Sequence, residues 1–330
     1  MRYDKTTKLP GEEILSRREM VKMLTAASVA TSPFMARLAI ARESSKNNAI
    51  RMVAVIFFES YATLALQRAL RYAGDDGFVA SLPQLLHARV NATYDNIIWN
   101  TWFTANSEES VITTAHGNRV VVAVHGGGIF TSPERIERSL RADMDRLNVE
   151  GLTGQYAAKI SEREARNVLN GKLADGSEIP VFQFDEFSRG IDGLPRRYAV
   201  ILDFQAAKKA KSGYQSFDSL KDEPILIVRA GGTGPLARYL DKAKNRNNTN
   251  LMGNWHPFDR IDPDQPQTRI LELSGNRGGT GSEGNDLGLG WGYDADYGIS
   301  GTGGFTDIAR YVAVAPRNVS AGLRYLDFGV

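Results

Sequence analysis

Short runs of apolar and β-branched residues recur along this chain, and helix-patterned segments with recognisable caps separate them. That alternation constrains the fold more than any single motif does. It predicts an α/β or α+β domain in which a mixed sheet is layered with helices. Residues 119–124 (RVVVAV) are the clearest strand, and residues 51–58, 179–184, 197–204, 224–228 (PILIV), 269–273 and 307–314 read the same way. Helical spacing runs over residues 61–72 and 78–90. A third helix starts at the capping box Thr131 and Glu134, has Pro133 in its first turn, and carries Ile136, Leu140, Met144 and Leu147 as an apolar stripe. Ser161 and Glu164 cap a fourth helix that ends near Gly171. Residues 206–211, 235–244 and 318–328 read as further helices, the first and last of them short. Residues 91–117 carry Tyr94, Trp99, Trp102 and Phe103 but take no clear assignment, and residues 245–268 read as a long polar loop.

A chain of 330 residues with 42% apolar side chains buries a large core without staples. It has no cysteine, which excludes disulfides, thiolate metal sites and a cysteine nucleophile. Its 40 basic and 38 acidic residues leave a formal charge of +2 with no long run of one sign, so a nucleic-acid footprint is not indicated. No apolar run approaches the ~20 residues of a membrane-spanning helix.

The N-terminal region reads as an address. Residues 16–22 (SRREMVK) place Arg17 and Arg18 before two apolar residues and a lysine. A mildly apolar stretch, residues 23–30, follows, then Arg37 and a small-x-small site at Ala39-Ile40-Ala41. This layout resembles the signal peptides of proteins that carry a twin-arginine export signal. The resemblance implies cleavage near residue 41, a partner in the twin-arginine export machinery, and a periplasmic or extracellular location for a protein exported already folded. The competing reading is a helix of the domain, capped by Ser16 and Glu19 and interrupted by Pro33. The organisation expected is a signal peptide over 1–41 and one mixed domain over 42–330, with a possible sub-boundary near 186–196, where Gly190, Gly193 and Pro195 cluster.

Two glycine turns follow strand-like runs. His125-Gly126-Gly127-Gly128 resembles the oxyanion-hole turn of α/β-hydrolase esterases and lipases, which implies amide donors at the glycines and a catalytic role for His125. The sequence has no G-x-S-x-G, and Thr233 is the nearest substitute nucleophile. Gly231-Gly232-Thr233-Gly234 opens a helix, as a phosphate-binding turn does. It resembles the nicotinamide-binding turn of ferredoxin-reductase-like flavoenzymes, and Arg196-x-Tyr198 echoes that family's flavin-holding element. Both turns read equally as plain connections that need glycine torsions. His256, Asp259, Asp262 and Asp264 offer a metal-ligand spacing in the polar loop, or plain turn chemistry. His87 and His116 have no evident companions.

Residues 275–304 form a glycine-rich stretch without periodicity, holding Asp286, Trp291, Tyr293, Asp294, Asp296 and Tyr297. A connection this long inside a compact domain is usually functional or disordered. Two functions follow. One is an exported enzyme or cofactor- or ligand-binding protein, hydrolase-like or nucleotide-binding, with its site at the glycine turns; its cofactor stays unidentified. The other is a non-catalytic exported protein that binds a ligand, or assembles with like subunits, through residues 275–304.

Overall fold

The computed structural model describes residues 48–59, 61–144, 152–153, 157–211, 213–246, 251–255, 258, 264–273, 289–290 and 309–320. The strands in chain order are β1 (Asn48–Glu59), β2 (Phe78–Val79), β3 (Phe103–Thr113), β4 (Arg119–His125), β5 (Leu152–Thr153), β6 (Ala157–Lys159) and β7 (Val181–Gln183). They continue with β8 (Tyr198–Asp203), β9 (Gly213–Ser216), β10 (Leu251–Trp255), β11 (Gln267–Leu273), β12 (Leu289–Gly290) and β13 (Ala309–Ser320). The helices are α1 (Ala62–Ala73), α2 (Leu82–Asn91), α3 (Pro133–Met144), α4 (Glu162–Leu169) and α5 (Phe184–Phe187). After them come α6 (Phe204–Lys208), α7 (Phe217–Leu220), α8 (Pro224–Ala230) and α9 (Thr233–Arg246). The layered helix-and-sheet architecture is thus as the sequence predicts.

The large sheet runs β7-β8-β4-β3-β11-β12-β10-β9, with β6 also beside β11 and β5 beside β6. Its central pairs, β8–β4, β4–β3 and β3–β11, are antiparallel. The rule that parallel sheets gather ligands at the carboxyl ends of their strands therefore does not locate a site here. A second sheet, β1-β13-β2, joins the two ends of the described chain. In it β1 pairs antiparallel with β13 from Asn48↔Ser320 to Glu59↔Ala309 without a register break.

Strand β4 shows why its sequence is an unbroken apolar run. Val121 and Ala123 pack into one core with Leu82, Trp99, Leu226 and Tyr239. Val120, Val122 and Val124 pack into another with Leu66, Ile136, Ala165 and Tyr311. Both faces of the sheet are covered, so alternation with polar residues is absent.

The structure corrects several local expectations. Residues 224–228 are helical, not a strand: α8 has Pro224 in its first turn, a left-handed Gly231 after its last residue, and buried side chains from Ile225 to Ala230. An apolar run buried all round cannot be told from a buried strand by periodicity. The expected helix over 78–90 begins only at Leu82, after β2, where Ser81 and Gln84 form a capping box. The unassigned stretch 91–117 holds β3, and the expected loop 245–268 holds β10 and the start of β11. Asn318, expected in a helix, lies in β13. The capping box of Ser161 and Glu164 forms as predicted, with the Ser161 amide 2.8 Å from Glu164 Oε2.

Candidate functional site

His125 ends β4 opposite Ser107 on β3 and Tyr198 on β8. Its ring is fully buried. Nε2 lies 3.0 Å from the carbonyl of Val228, and Nδ1 lies 2.9 Å from Ser107 Oγ. A carbonyl only accepts, so Nε2 carries the proton and Nδ1 accepts from the Ser107 hydroxyl. Ser107 Oγ in turn accepts the Leu82 amide at 2.9 Å. Burial pushes the imidazole pKa down to about 4, against the raising effects of Val228 and Glu109. The ring is neutral at pH 7, and both nitrogens are committed to holding β3, β4, α2 and α8 together.

The glycine turn after His125 brings several amides together, and the protein meets them with its own groups. Gly126 and Gly127, both at positive φ, donate their N–H groups to the carbonyl of Asn106 at 2.9 and 3.1 Å. Asn106 sits where the β3–β11 register is irregular. Beyond the turn, the Ile129 amide donates to Glu108 Oε1 and the Phe130 amide to Glu108 Oε2, the latter at 3.0 Å. Gly128 is required by proximity: a Cβ there would strike the Glu108 carboxylate. The acceptor beside this turn is thus a buried carboxyl of the same chain. Burial pushes the Glu108 pKa up to about 7, against the lowering effects of the Phe130 and Ile129 amides and of Arg135. In this structure the amides of Gly126 and Gly127 and both ring nitrogens of His125 are engaged by the protein's own groups.

The next residue, Glu109, faces the other core. Arg229 grips it with two bonds, Nε to Oε1 at 2.6 Å and Nη2 to Oε2 at 2.9 Å, and Arg269 Nε lies 3.4 Å from Oε2. All three side chains are buried. Burial pushes the Glu109 carboxyl up, but the Arg229 and Arg269 guanidiniums more than offset it and leave its pKa below the ordinary value. The Arg269 guanidinium also lies 4.5 Å from the ring centre of Phe258. Composition offers no sign of this cluster, because its members are far apart in sequence.

The second glycine turn meets the first through Val228. The carbonyl that His125 binds also lies 3.2 Å from the Gly231 amide, and the Gly232 amide reaches the Ile227 carbonyl at 2.9 Å. These two bonds, with Gly231 left-handed at φ 85°, close α8 as a Schellman motif. Gly231 and Gly232 therefore end one helix just before the next, and neither follows a strand. Thr233 is exposed, its hydroxyl donating to the Ser188 carbonyl at 3.0 Å, and Gly234 is exposed in the first turn of α9. Arg196 stacks on Phe78, and Tyr198 is buried among His125, Phe182 and Phe187, so both flavin-motif positions serve packing.

Asp264 pairs with Arg119 at the surface, whereas His256, Asp259 and Asp262 lie outside the described residues. Among the described residues no group of three or more His, Asp or Glu side chains is placed to hold a metal ion. Residues 1–41 and all but Leu289 and Gly290 of residues 275–304 also lie outside them. No described helix is long and apolar enough to cross a membrane.

No family model matches this chain, and no curated protein matches it. One solved structure, described as "Accommodation of massive sequence variation in Nanoarchaeota by the C-type lectin fold", is similar at a TM-score of 0.52 and 24% identity. The match covers 81% of this chain and 99% of that one. The likeness is one of fold.

Proposed function

We propose that the chain is exported through the twin-arginine route and works as a binding protein, with residues 275–304 making the contact. The observation that carries this reading is the occupation of both glycine turns. The amides of Gly126 and Gly127 are committed to Asn106 and those of Gly231 and Gly232 to Val228 and Ile227, so these four groups, from which an enzyme reading was built, serve the framework. What remains for a partner is the segment with Trp291, Tyr293 and Tyr297 beside Asp286, Asp294 and Asp296. Aromatic rings beside carboxylates suit sugars and aromatic or cationic side chains. The segment leaves β11 after Leu273 and rejoins β13 at Ala309, and Leu289–Gly290 within it pairs with β10 and β11. A rigid framework on both sides lowers the entropy lost when such a segment binds. The fold neighbour supports the reading to this extent: it is described as a C-type lectin fold that accommodates massive sequence variation.

The test is a glycan and peptide array probed with the full chain and with a Trp291→Ala, Tyr293→Ala, Tyr297→Ala variant. The wild type binds a defined subset; the variant loses it and melts at the same temperature. Wild-type turnover of activated esters, or equal binding by both chains, would contradict the proposal. For the export route, replacing Arg17 and Arg18 with lysine leaves full-length precursor in the cytoplasm, read by cell fractionation; undiminished export would refute it.

A further inference from the structure

Glu272 stands on β11 one residue before the strand ends, opposite Thr104 of β3 and Gly290 of β12. Leu271 and Leu273 pack into the core of Trp99, so alternation turns Glu272 to the other face of the sheet, where it is 6% exposed. Tyr311, the third residue of β13, is buried on that face, close enough for the charges of Glu272 and Glu108 to act on its phenol. Two carboxyls from two strands thus share the surroundings of one phenol from a third. The cations of the neighbouring elements are engaged elsewhere. Arg135 bonds Glu164 at 2.6 Å, Arg68 pairs with Glu59, and Arg269 lies against Glu109 in the other core. The Arg310 guanidinium lies 4.6 and 4.8 Å from the ring centres of Phe58 and Trp102. Among the described residues no cation or hydrogen-bond donor meets the Glu272 carboxyl, and burial alone pushes its pKa up to about 8. An unpaired carboxylate in such a place costs far more than the neutral acid.

The topology gives this cluster its consequence. Strand β11 ends at Leu273 and β13 begins at Ala309, so Glu272 and Tyr311 bring together the two ends of the long connection between them. The same corner is held by the Arg310 amide, which donates to Thr104 Oγ1 at 3.1 Å, and by Glu59 of β1 opposite Ala309. We propose that Glu272, Glu108 and Tyr311 form a pH-sensitive latch at the base of this connection, closed while Glu272 is neutral and releasing the start of β13 from β3 and β11 when it ionises. Release gives the carboxylate water, and it breaks the contacts of one corner without opening the central strands. The sign follows from the two states. The carboxyl titrates near its ordinary 4.5 when the corner is open and at about 8 when it is closed. Closure is therefore fully favoured below 4.5 and is lost as pH rises through 8; in between, the open fraction grows about tenfold per pH unit. The latch belongs to the framework and does not depend on what residues 275–304 bind.

Native-state hydrogen exchange on the full chain tests it, read by mass spectrometry between about pH 6 and 8 and corrected for the intrinsic pH dependence of exchange. In wild type the amides of residues 309–314 are roughly tenfold or more less protected than those of residues 120–124 in β4. Their protection changes little with urea below the unfolding transition, as a small opening requires. It falls by roughly tenfold or more from the lower pH to the higher. Glu272→Gln keeps the size of the side chain without its charge and removes that fall. Equal protection in β13 and β4, with the same urea dependence, would make the opening global and overturn the latch. So would a wild type whose β13 protection does not fall with pH, or a fall that Glu272→Gln retains. The first two of these are read on wild type alone, so a variant that fails to fold leaves the test standing.

Discussion

Neighbouring residues of one strand determine how much charge this interior tolerates. Glu108 and Glu109 point to opposite cores, and each is stabilised differently: the first by two amides, the second by two arginines. Glu109→Ala leaves two buried guanidiniums without their carboxylate and should cost about 3–5 kcal/mol of unfolding free energy in a urea titration. The titration of the buried acids sets a pH dependence. Burial raises Glu108 to about 7 and Glu272 to about 8, so between the unfolded value near 4.5 and these values the folded state holds protons that the unfolded state releases. Stability from this source is fully present below 4.5 and is lost as pH rises through 7 and 8. His125 acts oppositely: lowered to about 4, it makes stability rise with pH from 4 to 6.5 and contributes no slope above that. Urea midpoints should therefore fall from pH 6.5 to 8.5. Glu272→Gln should remove most of the decline above pH 7; an unchanged decline would show that Glu272 titrates normally.

At the scale of elements, the sequence is legible where local chemistry decides and illegible where burial does. The capping box at Ser161 and the valine run of β4 state their structure outright, the first through side-chain geometry and the second through burial on both faces. Strand β3 does not, because Ser107, Glu108, Glu109 and Ser110 are polar residues stabilised by distant partners such as His125, Arg229 and Thr268. Its central place in the sheet is written in those partners' positions. For α8 the signals are present, Pro224 at the start and Gly231 past the end, but the apolar run between them suits a strand equally. The two turns need glycine at Gly126, Gly127, Gly231 and Gly232, which take positive φ, and the groups that meet these turns, Asn106, Glu108 and Val228, carry no motif in the sequence. Gly231→Ala forces a side chain into a left-handed residue and brings a Cβ to 3.0 Å from Pro83 and 3.2 Å from the Tyr198 hydroxyl. It should cost about 1–2 kcal/mol or more, read as a lowered melting temperature.

For the whole molecule, the division is between a framework and what it carries. The β1–β13 pairing ties the ends of the described chain together, and the large sheet is buried on both faces by two cores. The glycine and aromatic stretch lies in sequence between β11 and β13 of that framework, and this place in the chain, rather than a motif, is what recommends it as the contact. The most direct measurement places two variants in one binding assay: Thr233→Ala, at the exposed glycine turn, and the triple alanine variant at Trp291, Tyr293 and Tyr297. The account predicts that the Thr233 variant binds the wild-type ligands with unchanged affinity, while the aromatic variant loses them with its fold intact. Loss of binding in the Thr233 variant, with the aromatic variant unaffected, would contradict it and return the site to the turn between α8 and α9.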